Sequence, residues 1–318
     1  MTWLIEQGIG EQRAILLDGD HIVAARTFWP GELSAGLVED AVLVSRQSGS
    51  KRGTARFASG EQALVDRLPA DAREGAPIRL EVTRPAMGDG VRRKLARSRP
   101  STNALRPAPG LAEHLDGTAV HAFPTSGWDE LVAEALSGEV AFAGGSLLFS
   151  PTPAMLLVDV DGTLDPRALA LAAVAPLAEA LRRFDVGGNI GIDFPTLQTK
   201  EDRRAVDEAL AAALAGWAHE RTAMNGFGFV QLVARLERPS LLHRATFQRP
   251  ALAVRALLRR AERLEGAGAV ELALHPALER ELPPAFVAEL ARRTGREVRL
   301  RTDPGLAPEA PHAQLVPR

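Results

Sequence analysis

The chain has 318 residues, 46% hydrophobic and 25% charged, and its 38 basic side chains nearly balance 40 acidic ones for a formal charge of −2. That length allows about two globular domains at roughly 100–200 residues each, and the balance sets the chain apart from strongly basic, general binders of nucleic acid. Cysteine and tyrosine are absent; this excludes disulfides, thiolate metal sites and a cysteine nucleophile, and leaves carboxylates with a hard cation such as Mg²⁺ or Mn²⁺.

The opening segment, MTWLIEQGIGEQRAILL, carries Glu6 and Glu11 and has no basic flank before an apolar core, so no secretory leader is expected. No apolar run reaches the roughly 20 residues of a membrane span, and the expected location is the cytoplasm. Residues 14–25 read as a hairpin around Asp18-Gly19-Asp20. Short strands punctuated by glycine continue over 38–44 and 53–65, and residues 78–83 alternate with period two. Strands at this spacing suit a small barrel. Residues 84–106 then carry seven basic side chains against Asp89, a local charge of +6. Pro85 and Pro100 keep this stretch from being one helix. It reads as a linker that is either simply solvated or a strap for phosphates.

From about residue 110 strands alternate with helices, as in α/β or α+β domains. A short helix is expected over 128–136, and strands over 146–149 and 155–160. A helix over 167–184 should break at Pro176. A buried strand over 189–194 follows, then an Ala-rich helix over 202–219. A helix over 251–265 stacks Arg255, Arg259 and Arg263 on one face. A strand, helix and strand over 270–274, 284–294 and 297–301 end the ordered part, and the Pro-rich tail from 303 is expected to be loosely ordered.

The sharpest local pattern is Leu156-Leu157-Val158-Asp159-Val160-Asp161-Gly162-Thr163, an apolar strand that ends in carboxylates and glycine. Period two puts Asp159 and Asp161 on one face. Gly191-Ile192-Asp193-Phe194 repeats the arrangement with one carboxylate. If the two strands are neighbours, Asp159 and Asp193 converge and call for a divalent counter-charge, which can orient water and stabilise charge on a phosphodiester. The alternative is that each aspartate simply caps a turn.

Two family resemblances attach to these residues. Asp159-Val160-Asp161-Gly162-Thr163 matches the DxDGT signature of haloacid-dehalogenase-like phosphatases, in which the first aspartate is the nucleophile and the second the acid/base. That family also needs a later lysine and a later acidic motif. The only lysine downstream is Lys200, and no such motif follows. The wider run, GEVAFAGGSLLFSPTPAMLLVDVD over 138–161, resembles the ribonuclease E/G family, with its Gly-Gly and strand, its T-x-A-(M/L) step and its strand ending D-(V/I)-N. Residues 181–194 are similar to that family's helix, L-G-G, apolar strand and I-D-F, and 227–232 to its F-G-L-(L/V)-E-M. Arg203 and Arg204 stand where it has a basic helix start, and residues 10–19 are like its opening strand pair. The similarity is clear over about 138–232 and weaker outside.

The resemblance implies an α+β chain. Residues 1–100 would be a β-rich region with a reduced OB-like RNA-binding barrel over about 29–97. Residues 101–318 would be a mixed α/β catalytic domain with RNase H/DNase I-like strands and helices. It implies a metal-dependent endoribonuclease acting on single-stranded RNA in RNA processing or decay. Asp159 and Asp193 would bind Mg²⁺ (or Mn²⁺) and Asp161 would join them in catalysis. Arg203, Arg204, Arg93 and Lys94 would contact RNA, and Phe57 would stack on a base unless it is a core residue. Asp161 replaces the family's asparagine, Gln231 its glutamate, and Asp202 stands near a position often held by histidine. These departures motivate the alternative of an RNA-binding protein with weak or lost catalysis. The stretch 97–128 is too short for the family's 5′-end-sensing subdomain. Without cysteine the family's zinc-linked tetramer cannot form, so a monomer or simple homodimer is expected.

Overall fold

Three strands open the chain as an antiparallel meander: β1 (Trp3–Gly8), β2 (Glu11–Asp18) and β3 (His21–Phe28). The computed structural model describes residues 1–88, 93–125 and 127–317. The tight turns fall at Gly10 and Gly19, both at positive φ. The chain then builds a closed barrel from β4 (Val38–Arg46), β5 (Gly53–Arg56), β6 (Gln62–Val65), β7 (Pro77–Arg84) and β8 (Ala96–Pro100), in the order β4-β5-β6-β8-β7. Only β6 and β8 pair in parallel. Leu43, Ala55, Phe57, Val65, Leu80 and Val82 form the barrel's own core.

After a one-turn helix α1 (Leu111–His114), β9 (Gly117–Val120) returns to pair in parallel with β1. The barrel is therefore an insertion in a sheet ordered β3-β2-β1-β9. β1–β3 thus share a sheet with a strand that lies beyond the division expected at residue 100. Of the basic stretch 84–106, Arg84 closes β7 and residues 96–100 form β8, while Asp89 and Arg92 lie outside the described residues. Along β8 Ala96 and Ser98 point inward while Arg97 and Arg99 point out, so the arginines form the barrel's outer wall.

The second sheet has six strands. A helix α2 (Gly127–Ser137) leads into β10 (Glu139–Phe142), β11 (Gly145–Pro151) and β12 (Leu156–Gly162), an antiparallel meander. Helix α3 (Pro166–Arg183) crosses over to β13 (Gly188–Asp193), which pairs in parallel with β12. Helix α4 (Lys200–Ala213), β14 (His219–Arg221) and β15 (Phe229–Ala234) complete the order β10-β11-β12-β13-β15-β14. Asp165 caps α3 by accepting from the N–H of Ala168, and Pro166 sits in its first turn.

Helix α3 runs through Pro176 unbroken, against expectation. One missing N–H costs it a bond, but Leu169, Ala173, Val174, Leu177 and Leu181 are buried in the core shared with Leu147, Val158 and Val160. Burial of each leucine is worth about 1.5–3 kcal/mol, enough together to offset a proline. Helix α4 stops at Ala213, six residues before the expected end; His219 instead opens β14 and stacks on Trp217.

Helices α5 (Leu241–Phe247) and α6 (Arg249–Glu262) precede a third sheet, β17-β16-β18, made from β16 (Ala269–Leu274), β17 (Val298–Thr302) and β18 (His312–Val316). A 3₁₀ turn (Pro276–Glu281) and helix α7 (Pro284–Thr294) link the first two of these strands. The tail is thus not loose. Residues 312–316 pair antiparallel with β16, and Ala313 and Leu315 pack on a core of Val254, Leu257, Val270 and Leu272. The chain is a mixed α+β fold of three open sheets and one barrel. Among the described residues, no helix is long and apolar enough to cross a membrane.

Candidate functional site

Strand β12 alternates buried and exposed from Leu156 to Asp161, so the sheet has two unlike faces. Helix α3 packs on one, against β10, β11 and β12. The other is open, and Leu148, Leu157 and Val233 on it are 38–43% exposed. Register fixes its rows. Leu157, Gly191 and Gln231 lie side by side, and in the next row lie Leu148, Asp159, Asp193 and Phe229. The Phe229 ring leans back over Gly191, where a Cβ would meet its Cζ at 2.5 Å.

Asp159 and Asp193 are therefore direct neighbours on adjacent parallel strands, whose backbones lie about 4.8 Å apart. Both are exposed, and among the described residues neither has an ion-pair or side-chain hydrogen-bond partner. Asp161 faces the same side one pleat further, opposite Ser146, and its Oδ1 accepts from the N–H of Gly162 at 2.8 Å. Two like charges held side by side without a cation form a hard-oxygen donor pair that fits Mg²⁺ or Mn²⁺, ions that keep several waters as further ligands. Among the described residues no group of three or more acidic or histidine side chains is gathered into a metal cage.

At the opposite ends of β12 and β13 the same sheet borders a cleft of about 550 Å³. Arg67, Arg84, Lys94, Arg97 and Arg99 of the barrel form one wall, and Met155, Asn189 and Arg235 lie on the other. A second groove of about 400 Å³ runs over the barrel past Arg46, Arg52 and Leu64 and shares Asp66, Arg84, Lys94 and Arg97 with the first. Arg84 stands out in this wall. Its Nη2 donates to the carbonyl of Leu95 at 2.5 Å, while Nε and Nη1 are buried and, among the described residues, without partners. Burial, and then repulsion from Arg97, pull its pKa below the ordinary arginine value.

His243 of α5 lines the cleft and ties the barrel to the body. Its Nε2 accepts from the N–H of Gly88 at 3.1 Å, so the proton sits on Nδ1, which is buried and, among the described residues, without a partner. Burial, then the neighbouring Arg244, lower its pKa to about 4, against a smaller opposing pull from Glu32. It is neutral at physiological pH.

The sequence-derived site residues meet different fates. Asp159 and Asp193 come together, with Asp161 on the same face, and Lys94 lies on the cleft. Arg93 is exposed and ion-paired with Glu61. Arg203 holds the loop before α4 through the carbonyls of Leu197 and Gln198, and Arg204 pairs with Glu208 at 2.8 Å. Neither lines the cleft. Asp202 accepts a bond from Thr199 and pairs with Arg167. Phe57 is corrected outright: it is 3% exposed in the barrel core and has no face to offer a base. Arg84, Arg97, His243 and Phe227 were not singled out as site residues. Only the two arginines carried a signal, as members of the basic stretch.

No protein-family model matches the chain, and no curated protein does.

Proposed function

We propose that this chain is a divalent-cation-dependent endoribonuclease that hydrolyses phosphodiester bonds in single-stranded RNA, in cytoplasmic RNA processing or decay. One observation carries the reading: Asp159 and Asp193 are unpaired register partners at one end of an open sheet face whose other end meets the arginine-walled cleft. The barrel supports it too. Numbered within the barrel, its strand order is 1-2-3-5-4 with strands 3 and 5 parallel, the arrangement of an OB-like fold. The second groove lies on that fold's usual oligonucleotide face, strands 2 and 3. Three antiparallel strands, a crossover helix and a parallel fourth carry the carboxylates, as in RNase H-like sheets.

In this reading Arg97, Lys94 and Arg84 hold backbone phosphates and fix the register of the strand. From Asn189 to Asp193 is four residues, about 13 Å, so a strand held in the cleft reaches the carboxylates within a few nucleotides. Asp159 and Asp193 would hold Mg²⁺ or Mn²⁺, which when bound lowers the pKa of water and stabilises charge on the phosphate. Asp159 and Asp193 accept hydrogen bonds from the attacking water and aim it. The water oxygen would bond to phosphorus as the P–O bond to the leaving nucleotide breaks; one water proton would pass to a base such as Asp161, and the leaving oxyanion would take a proton from solvent. A second reading, RNA binding without turnover, is favoured by the pairing of two carboxylates rather than three and by Gln231 one row away.

The test is a 5′-labelled, A/U-rich single-stranded RNA incubated with Mg²⁺ or with EDTA. Cleavage should need Mg²⁺ and fall at least about a hundredfold in Asp159→Asn and in Asp193→Asn. Binding without cleavage would favour the second reading. Turnover of p-nitrophenyl phosphate with RNA left intact would replace both with a phosphatase.

A further inference from the structure

Resting on the RNA reading of the open sheet face, we infer that Phe227 is a stacking platform for one unpaired nucleobase beside the carboxylate pair. Phe227 is 80% exposed and, among the described residues, is the only exposed ring of Phe or Trp. Water-facing phenyl groups are usually tolerated on mobile tips, and this one is not on such a tip. Asn225 Oδ1 accepts from the N–H groups of Phe227 at 2.9 Å and Phe229 at 3.0 Å. Thr196 Oγ1 donates to the carbonyl of Phe227 at 3.3 Å, and the N–H of Phe194 donates to that of Gly228 at 3.2 Å. Gly228 takes φ +91°, and a Cβ there would meet the Phe194 carbonyl oxygen at 2.3 Å. The turn is thereby bound to the segment directly after Asp193.

Position and surroundings identify the occupant. Phe229 is the register partner of Asp193, so Phe227 lies two residues beyond the carboxylate row, at the end away from the basic cleft. A strand entering by the cleft and crossing Asp159 and Asp193 comes next to this ring. The ring is also alone: its chain neighbours are Asn225, Gly226 and Gly228, and the exposed apolar side chains of the face, Leu148, Leu157 and Val233, lie on the strands. A protein partner needs a broad patch, whereas one rigid ring is what a single π-face requires. Bases in a duplex are already stacked and cannot use it, so the ring selects single strands.

The experiment measures Kd by fluorescence anisotropy for a single-stranded RNA in EDTA, so that binding is read apart from cleavage. The proteins are the wild type, Phe227→Ala and Phe227→Trp, all of the full chain. A set of RNAs carries one abasic position moved along the strand. Phe227→Ala should weaken binding about tenfold, and Phe227→Trp should restore it. One abasic position should cost the wild type a similar factor and cost Phe227→Ala nothing more. In Mg²⁺ the alanine variant should raise KM and spare kcat. Equal Kd for wild type and Phe227→Ala would overturn the inference and leave the RNA reading standing. A wild type that binds no RNA would remove both. A shift from dimer to monomer in Phe227→Ala, seen by sedimentation, would make the ring a contact between copies and overturn it as well.

Discussion

The arginines of α6 and those of the cleft wall differ in what answers their charge. On α6, Arg259 meets Glu11 at 2.5 Å, Arg263 meets Glu6 at 3.0 Å, and Arg255 donates to the Gly10 carbonyl while stacking on Trp29. Arg13 joins them from β2, bound to Glu6 and packed against the adjoining rings of Phe123 and Trp128, each 4.8 Å away. On the cleft wall and the barrel surface beside it, Arg52 and Arg97 share Asp66, Arg99 and Arg106 share Glu81, and among the described residues Arg84 has no carboxylate partner, its side chain bonding only the Leu95 carbonyl. A cation matched by a buried carboxylate is part of the fold. A wall with more cations than anions has charge left for a ligand, and phosphates are anions that arginine grips with two bonds at once.

The largest effect should come from breaking the matched set. Glu11→Ala leaves Arg13 and Arg259 facing each other in the interior; burial and Arg259 already lower the Arg13 pKa to about 10. Removing one member of a buried network costs about 3–5 kcal/mol, read as a fall in Tm of roughly 10 °C in thermal unfolding followed by circular dichroism. A variant that melts like the wild type would show that these pairs do not hold α6 to the first sheet. RNA affinity of the folded variant should be unchanged.

The contrast was half legible in the sequence. The i, i+4, i+8 spacing of Arg255, Arg259 and Arg263 put them on one face, but nothing in a helix period says that Glu6 and Glu11, some 250 residues earlier, lie under that face. Asp159 and Asp193 were legible for the opposite reason: each ends an apolar strand, and only the pairing of β12 with β13 had to be supplied. The placement of Phe57 and Phe227 was not legible, for the same reason. Both are phenylalanines in glycine-bearing segments, and whether a ring faces the barrel core or water depends on closure of strands far apart in sequence. The basic stretch 84–106 hid β8 because charge drew attention away from its period-two alternation of Ala96 and Ser98 with arginines.

His243 offers a test of intermediate size, on the joint between the two regions. Its folded pKa of about 4 lies below the ordinary 6.5, so between those values the unfolded chain binds the extra proton. Its contribution is fully present above about pH 6.5 and is lost as pH falls towards 4, by about 3 kcal/mol at one unit per 1.36 kcal/mol. His243→Asn should flatten that part of the Tm-against-pH curve. Arg244 and Glu32 face it; against the opposing effect of burial, Glu32 is held below its ordinary carboxylate value by Arg244, and so leaves the sign unchanged. A wild-type Tm that does not fall between pH 6.5 and 4.5 would mean that His243 is not held neutral between α5 and the barrel loop.

The smallest effect on stability, and the sharpest on ligand binding, belongs to the unmatched set. Arg84→Ala with Arg97→Ala removes two cations from a wall where Arg52 remains to answer Asp66; the Arg97 pair is exposed and contributes little, and Arg84 gives up one hydrogen bond to the Leu95 carbonyl, so the barrel should melt within about 2 kcal/mol of the wild type. RNA affinity should fall, and the slope of log K against log salt should decrease by roughly two if each arginine neutralises one phosphate. Glu11→Ala should leave that slope untouched. A salt slope equal in wild type and double variant would place the RNA elsewhere and undo the distinction between matched and surplus arginines, because charge left over in the cleft would then have no ligand to answer it.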